Sequence, residues 1–173
     1  LLTAKHIQKR FSERQLLGYI SLSIHLGDKI GLVGVNGSGK STLLQIIAGA
    51  MEEDAGEILR SNELRIGYLP QNPDFEPEAT VLEQAMEYVQ GAVPEYVVKT
   101  LLTKLRMNMF DRKMKELSGG QRKRVAMAAV MCRDTNLLIL DEPTNHMDND
   151  IIEWLEEQLE NYKGSVLMIT HDR

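Results

Sequence analysis

Short apolar runs separated by turn and charged residues predict the strands of this chain. Lys29 to Gly34 (KIGLVG), Leu137 to Asp141 (LLILD) and Ser165 to Thr170 (SVLMIT) are rich in branched side chains. Such runs are typical of parallel strands that are buried on both faces. The pattern therefore predicts a parallel sheet at the core.

Two further segments differ from these runs. Tyr19 to Leu26 alternates apolar with polar residues, which is typical of a half-exposed antiparallel strand. Its apolar face carries Ile20, Leu22, Ile24 and Leu26. Leu64 to Pro70 is a strand that ends at Pro70, because proline has no amide hydrogen to donate to a ladder. We expect a small antiparallel layer beside the parallel core.

Helical periodicity occurs between the predicted strands. The predicted helices are Lys40 to Ala48, Thr80 to Tyr88, Pro94 to about Met107, and Asp148 to Tyr162. Gly49 ends the first helix, and Thr80 with Glu83 forms a capping box at the start of the second. The middle two belong to an inserted helical subdomain at about residues 75–133. The predicted fold class is α/β, with a single domain over residues 1–173.

Length and composition agree with one globular domain. The chain has 173 residues, of which 43% are hydrophobic and 26% charged, enough for one core and too few for two ordinary domains. No apolar run approaches the ~20 residues that cross a bilayer, and the N-terminus lacks the order of a signal peptide. We therefore expect a cytoplasmic protein without membrane insertion. The single cysteine, Cys132, is expected to be a small buried hydrophobe.

Charge is distributed unevenly along the chain. The net charge of −5 disfavours a protein that coats nucleic acid through a basic surface. Lys104 to Arg124 nevertheless holds eight Lys or Arg, whereas Asp141 to Tyr162 holds eight Asp or Glu and no Lys or Arg. Solvated helix faces are the favoured interpretation of both segments.

A glycine-rich segment joins the first apolar run to the first predicted helix. Gly34, four residues, Gly39, Lys40 and Ser41 match GxxxxGK[ST] between a strand and a helix, as a P-loop requires. Backbone amides of such a loop cradle phosphate oxygens, Lys40 neutralises phosphate charge, and Ser41 can bind Mg²⁺. The residues expected to bind nucleotide here are Gly34, Asn36, Gly37, Ser38, Gly39, Lys40, Ser41 and Thr42. The segment predicts a nucleoside triphosphate site.

Two carboxylates follow the second apolar run. Asp141 stands at the tip of the predicted strand, and Glu142 comes one residue later. After a P-loop, an acid at a strand tip is suited to hold Mg²⁺ through water, and the next acid can polarise the attacking water as a general base. We therefore predict Asp141 as the metal residue and Glu142 as the base.

A second anion-binding helix start is predicted within Leu117 to Gln121 (LSGGQ). Ser118 and Gln121 form a capping box, and Gly119 and Gly120 leave the first-turn amides bare. One triphosphate does not need two such helix ends from one subunit, so we expect this one to face a nucleotide bound elsewhere. For Ser118 taken alone, a simple capped helix is an adequate alternative.

Together these motifs resemble the nucleotide-binding domain of ATP-binding cassette (ABC) proteins, over nearly all of the chain. The resemblance implies that Gln71 is the Q-loop glutamine, which touches Mg²⁺ and senses the γ-phosphate. It implies that Asp148 is the D-loop aspartate at a dimer interface and that His171 is the switch histidine on the γ-phosphate. Phe11 stands where the family places an adenine-stacking ring, with a core position as the alternative.

The resemblance also implies how such a domain works. Two cassettes close head to tail around two ATP molecules, each held between the P-loop of one and the segment Ser118 to Gln121 of the other. We therefore expect a Mg²⁺-dependent ATPase that needs a second cassette, in the same full-length chain or in a homodimer. The implied catalytic residues are Lys40, Glu142 and His171, and the implied metal residues are Ser41, Gln71 and Asp141.

The residues after the carboxylates indicate a branch of the family. Asn145 and His146 in DEPTNHMD, and the HDR that ends at Arg173, resemble the ABC-F branch. Its members carry two cassettes in one chain, lack membrane domains, and act on the ribosome as translation factors or antibiotic-resistance proteins. The alternative is the cytosolic ATPase subunit of an ABC membrane transporter.

Two features depart from a complete ABC-F cassette. Only 46 residues separate Gln71 from Ser118, a shorter helical block than we expect for the first cassettes of this branch. A splice across unobserved residues near Gln90 to Pro94 is one explanation, and a shorter block is the other. The chain also stops before the last strand and helices of a cassette. We expect it to be part of a longer protein, with the ribosome contacts in parts that this chain lacks.

Overall fold

The computed structural model describes residues 1–11, 14–33 and 39–170 of the chain. Contacts divide it into two compact units. The first contains residues 1–70, 135–142 and those from 163 onward, and the second contains residues 71–134 and 143–162. The first unit holds the sheets and the second is helical. The boundaries of about 75–133 for an inserted subdomain stay a prediction.

The first unit combines two sheets with one helix in its described part. Its elements are β1 (Leu2–Phe11), β2 (Arg14–Ile24), β3 (Lys29–Leu32), α1 (Lys40–Ala48), β4 (Ala55–Arg60), β5 (Ile66–Leu69), β6 (Leu137–Asp141) and β7 (Ser165–Ile169). One sheet is antiparallel, with the strand order β2-β1-β4, and the other is parallel, with the strand order β3-β7-β6-β5. The predicted α/β fold, with a parallel core and a small antiparallel layer, is confirmed.

Burial in the parallel sheet depends on strand position. The central strands β6 and β7 are buried along nearly their whole length. In β3, Lys29 and Gly31 are exposed while Ile30 and Leu32 are half-buried. The expectation that this run is buried on both faces was wrong: β3 lies at an edge of the described sheet, with a strand partner on one side only.

The strand β1 pairs with both β2 and β4 and was not predicted. Its buried residues are Leu2, Ala4 and Ile7, so the spacing is two residues and then three. The change in spacing coincides with a shift in the register with β2 and with a φ of 53° at His6. The alternation that reveals a strand is therefore broken inside β1. At Gly56 of β4, a Cβ would lie 2.6 Å from the His6 carbonyl oxygen. Glycine is required at position 56, because any side chain would clash with the backbone of β1.

The antiparallel strand β2 ends earlier than its sequence pattern. After Ile24 the chain turns, and the amide of His25 donates to the Asp28 carboxylate at 2.8 Å. Leu26 lies in this turn and is 69% exposed. The prediction that Leu26 shares the apolar face of β2 was wrong, because the strand ends before it.

The helix α1 connects the two sheets of the first unit. It has the predicted bounds, and Gly49 closes it with a φ of 84°. Its buried residues are Leu43, Leu44, Ile46 and Ile47. They form one cluster with apolar residues of both sheets, among them Ile7, Ile139 and Ile169. Each fully buried side chain of this size stabilises the fold by roughly 1.5–3 kcal/mol, so packing on both sheets fixes the position of α1.

The second unit is built around one buried helix. Its elements are α2 (Val81–Val89), α3 (Glu95–Lys104), a 3₁₀ turn (Met114–Glu116), α4 (Gly119–Cys132) and α5 (Asn149–Asn161). The helix α4 packs against α2 and α3. The Thr80 hydroxyl accepts a hydrogen bond of 3.2 Å from the Glu83 amide, as expected of a helix N-cap. Burial raises the pKa of the half-buried Cys132 thiol to about 11, which disfavours a reactive thiolate.

Within these described ranges, no helix is both long enough and apolar enough to cross a membrane.

Candidate active site

The carboxyl ends of the parallel strands define one edge of the first unit. Leu32 at the end of β3 and Asp141 at the end of β6 both pair with Ile169 of β7. The segment that follows β3 therefore starts at the same edge as Asp141. This is the edge at which open α/β sheets bind their ligands.

The helix α1 is the next described element after β3, and no side chain caps its N-terminus. Gly39 is its N-cap with a φ of 93°, a conformation that favours glycine. Glycine has no side chain to cap the first amides, and the first turn holds no acidic residue. Lys40, Ser41 and Thr42 occupy this turn and are half-buried. The positive end of the helix is therefore suited to an anion.

Part of the predicted site lies outside the described residues. This applies to Gly34, Asn36, Gly37 and Ser38 of the P-loop and to His171. The described part of the P-loop is its helical end, from Gly39 onward. The roles of all these residues stay predictions.

Asp141 and Glu142 are buried at the strand end. Asp141 is 1% exposed and Glu142 is 8% exposed. Glu142 has a φ of 50°, and its amide donates to the carbonyl of Ile169 at 3.0 Å. A left-handed backbone at a residue other than glycine costs on the order of 1–3 kcal/mol and is typical of functional sites. This turn leads the chain out of β6 at the second carboxylate.

Tyr68 on β5 is a neighbour of this edge that sequence reasoning missed. Burial, and to a lesser extent the negative charge of Asp141, raises the pKa of the Tyr68 phenol to about 12. The phenol therefore stays neutral at physiological pH. Its place next to β6 was not deducible from sequence, because β5 and β6 are separated by the whole helical block.

The helix start at Ser118 has the predicted capping box. The Ser118 amide donates to the Gln121 side-chain oxygen at 3.0 Å, and the Gln121 amide donates to the Ser118 hydroxyl at 3.2 Å. Adding a Cβ at Gly119 would meet nothing within 4 Å, whereas a Cβ at Gly120 would lie 3.2 Å from the Cβ of His146. A side chain at Gly120 would therefore crowd His146, whereas one at Gly119 would not meet the chain's own atoms at its Cβ.

A cleft of about 660 Å³ lies within the second unit at this helix start. It is lined by Gln71, Asn72, Pro73, Phe75, Ser118, Gly119, Gly120, Arg122, Lys123, Arg124, Asn145 and His146. The cleft thus brings together the predicted Q-loop residue Gln71 and the signature residues Ser118 to Gly120. Gln71 itself is exposed.

Two other predicted residues are not among those that line this cleft. Asp148 is the N-cap of α5, and its exposed carboxylate pairs with the guanidinium of Arg106 at 3.2 Å. Arg106 also pairs with Asp150. Phe11 lies at the end of β1 and is 46% exposed, with the Lys9 ammonium 5.8 Å from its ring centre. The core alternative for Phe11 is therefore disfavoured.

Comparisons with known proteins identify the family of this chain. A family model described as ABC transporter matches residues 17–145. The energy-dependent translational throttle protein EttA of Haemophilus influenzae is 37% identical over 202 aligned residues, which cover 93% of this chain and 36% of that protein. The tylosin resistance ATP-binding protein TlrC of Streptomyces fradiae is 34% identical over 212 aligned residues, which cover 96% of this chain and 39% of that protein. A solved dimeric ATP-binding cassette, in a post-hydrolysis state bound to ADP and phosphate, has a TM-score of 0.83 at 25% identity, covering 99% of this chain and 88% of that chain.

The fold and the edge site define a P-loop ATPase cassette. The chain belongs to the ABC transporter family, and its relatives EttA and TlrC are ABC-F members. It spans little more than a third of the length of these relatives. Both alignments are longer than the chain, so the relatives carry insertions relative to it. These comparisons do not locate the insertions, so a splice near Gln90 to Pro94 stays untested.

Proposed function

We propose that the chain is the ATP-hydrolysing cassette of a cytoplasmic protein. The observation that carries this proposal is the strand register: Leu32, which precedes the predicted P-loop, and Asp141 both pair with Ile169 of β7. ATP binds with its phosphates at the N-terminus of α1, where Lys40 and the first-turn amides offset their charge. His171 contacts the γ-phosphate, and Phe11 supports the adenine ring.

Glu142 is the general base in this proposal. Its carboxylate is nearly buried and follows directly on Asp141 at the strand end. A base positioned next to the terminal phosphate accepts a proton from the attacking water as the water bonds to phosphorus. ADP is the leaving group, and Lys40 stabilises the charge that develops on the phosphate oxygens.

The donor chemistry fits Mg²⁺. The Ser41 hydroxyl, the Asp141 carboxylate and the Gln71 amide oxygen are hard oxygen ligands of the kind that Mg²⁺ takes together with phosphate and water. Across the ranges that the structure covers, no group of three or more His, Cys, Asp or Glu could hold a metal alone. When bound, the ion would neutralise phosphate charge of the nucleotide.

We assign the Ser118 end of α4 to a nucleotide on a second cassette. Gly119 has open space around its missing side chain, so the chain's own packing does not require a glycine there. Close approach of a ligand or partner backbone is the usual remaining reason for such a glycine. The exposed Asp148 belongs to the same interface between cassettes.

Gly119→Leu tests this assignment without harming the helix. Leucine is a better helix former than glycine, and a Cβ at this exposed position would meet nothing within 4 Å. We expect ATP affinity and melting temperature to be preserved, while hydrolysis falls about 100-fold because the second cassette cannot close. Steady-state hydrolysis and nucleotide binding measure this, with Gly119→Ala as the milder control. Normal hydrolysis by Gly119→Leu would refute a role in trans.

We further propose that the full-length protein is an ABC-F protein that acts on the ribosome, in translation or in ribosome protection against an antibiotic. Support comes from EttA and TlrC, whose names describe translational control and tylosin resistance, and from Asn145 and His146 after the carboxylates. The alternative is the ATPase subunit of a membrane transporter, which the description of the matching family favours.

Ribosome co-sedimentation distinguishes the two functions. The full-length protein with Glu142→Gln is incubated with ribosomes, Mg²⁺ and either ATP or ADP, because this variant is expected to hold ATP unhydrolysed. An ABC-F protein pellets with ribosomes in ATP and remains in the supernatant in ADP. Adding Lys40→Ala should abolish pelleting. Intact ATP binding without pelleting would favour the transporter subunit.

A further inference from the structure

Arg122 lies in the first turn of α4 and contacts two other segments of the second unit. Its guanidinium stands over the Phe75 ring, 4.2 Å from the ring centre. Its Nε donates to the Met114 carbonyl at 3.2 Å, and its Nη2 donates to the Lys115 carbonyl at 3.3 Å. One side chain thus joins the helix that starts at Ser118, the 3₁₀ turn and the segment that follows Gln71.

The segment after Gln71 is held at three successive residues. The Tyr88 hydroxyl donates to the Asp74 carbonyl, and Arg122 covers Phe75. The Glu76 amide donates to the side-chain oxygen of Gln84 at 2.6 Å, and Gln84 is 3% exposed. The contacts at Asp74 and Glu76 attach the segment to α2, whereas Phe75 attaches it to α4.

These contacts demand an arginine. A planar guanidinium stacks on an aromatic face while its edge donates to carbonyls in a fork, and a lysine ammonium cannot do both. Arg122 is also only four residues from Ser118, and its amide donates to the Ser118 carbonyl at 3.0 Å. A shift of the Gln71 segment is therefore transmitted to the helix start through few intervening groups.

We propose that Arg122 is a positioning residue that couples the Gln71 segment to the Ser118 end of α4. On the proposed function, which this coupling presupposes, Gln71 responds to ATP on its own cassette and Ser118 meets ATP on the other. The stack of Arg122 on Phe75 then links the two nucleotide sites. In this proposal Arg122 acts through its contacts with Phe75 and the 3₁₀ turn.

The test compares Arg122→Lys, Phe75→Leu and the double variant in the full-length protein. We expect kcat to fall about tenfold in each single variant, with the dissociation constant for ATP changed less than about twofold. The double variant should be no slower than the singles, because residues that act through one contact are not additive. Phe75→Tyr keeps the ring and should keep kcat.

A second pair of a cationic side chain and an aromatic ring in the same unit provides a matched control for the Arg122 and Phe75 variants. The Lys99 ammonium lies 5.5 Å from the centre of the Phe110 ring, away from the cleft. Lys99→Met and Phe110→Leu should leave kcat unchanged. A normal kcat in Arg122→Lys, or effects that multiply in the double variant, would overturn the coupling.

Hydrogen exchange separates this coupling from the ATPase function itself. Without nucleotide, amides of residues 74–76 should exchange about tenfold faster in Arg122→Lys than in the wild type, and those of 43–48 in α1 should be unchanged. Unchanged exchange at 74–76 would overturn the coupling whether or not the protein hydrolyses ATP. A wild-type protein that does not hydrolyse ATP would instead refute the proposed function.

Discussion

Glu142→Gln is expected to lower ATP hydrolysis by about 100- to 1,000-fold while leaving ATP binding intact, since general-base catalysis contributes roughly that factor. Glutamine has nearly the same shape as glutamate and cannot accept the proton of the attacking water. The carboxylate is 8% exposed at the end of β6, so bulk water cannot easily replace it as the base. The variant should accumulate in the closed, ATP-bound state.

Glu153→Gln is the matched control for this loss of an acid. Glu153 is exposed on α5, in the same stretch of acidic residues, and its replacement should leave hydrolysis unchanged. Single-turnover hydrolysis and filter binding of labelled ATP separate chemistry from affinity. If Glu142→Gln hydrolysed ATP at the normal rate, another group would have to be the base.

Lys40→Ala is expected to weaken ATP binding about 10- to 100-fold. A hydrogen bond to a charged group contributes roughly 1.5–3 kcal/mol, and Lys40 supplies the ammonium at the N-terminus of α1. Removing it also leaves phosphate charge uncompensated. Hydrolysis falls with affinity, and higher ATP concentrations should restore only part of it.

Isothermal titration with ATP and Mg²⁺ measures this loss. Lys99→Ala removes a cation of the same kind from the surface of α3 and should leave affinity unchanged. The melting temperature without nucleotide should be similar in both variants, because Lys40 is only half-buried. An unchanged ATP affinity in Lys40→Ala would refute the phosphate-binding role of this loop.

Features with strong local signals were predictable from the sequence. The bounds of α1 follow from Gly39 and Gly49, which flank an apolar helix face, and the structure has the same bounds. The capping box of Ser118 and Gln121 is likewise confirmed. Each of these depends on residues within one or two turns, where local geometry decides the structure.

Features that depend on distant neighbours were not predictable. The bulge at His6 disrupts the period of β1, and its partner Gly56 lies fifty residues away. The stack of Arg122 on Phe75 joins segments that no sequence pattern connects. Arginine after a capping box predicts only a solvated helix face until the packing of the 3₁₀ turn is known.

A structure of the full-length Glu142→Gln protein with ATP and Mg²⁺ would show whether Ser118 meets a nucleotide held by another cassette. We predict that the Ser118 hydroxyl lies within about 3.2 Å of a γ-phosphate oxygen of ATP that is bound to the second cassette's P-loop. ATP bound at Lys40 with the cassettes apart and Ser118 facing solvent would contradict the account.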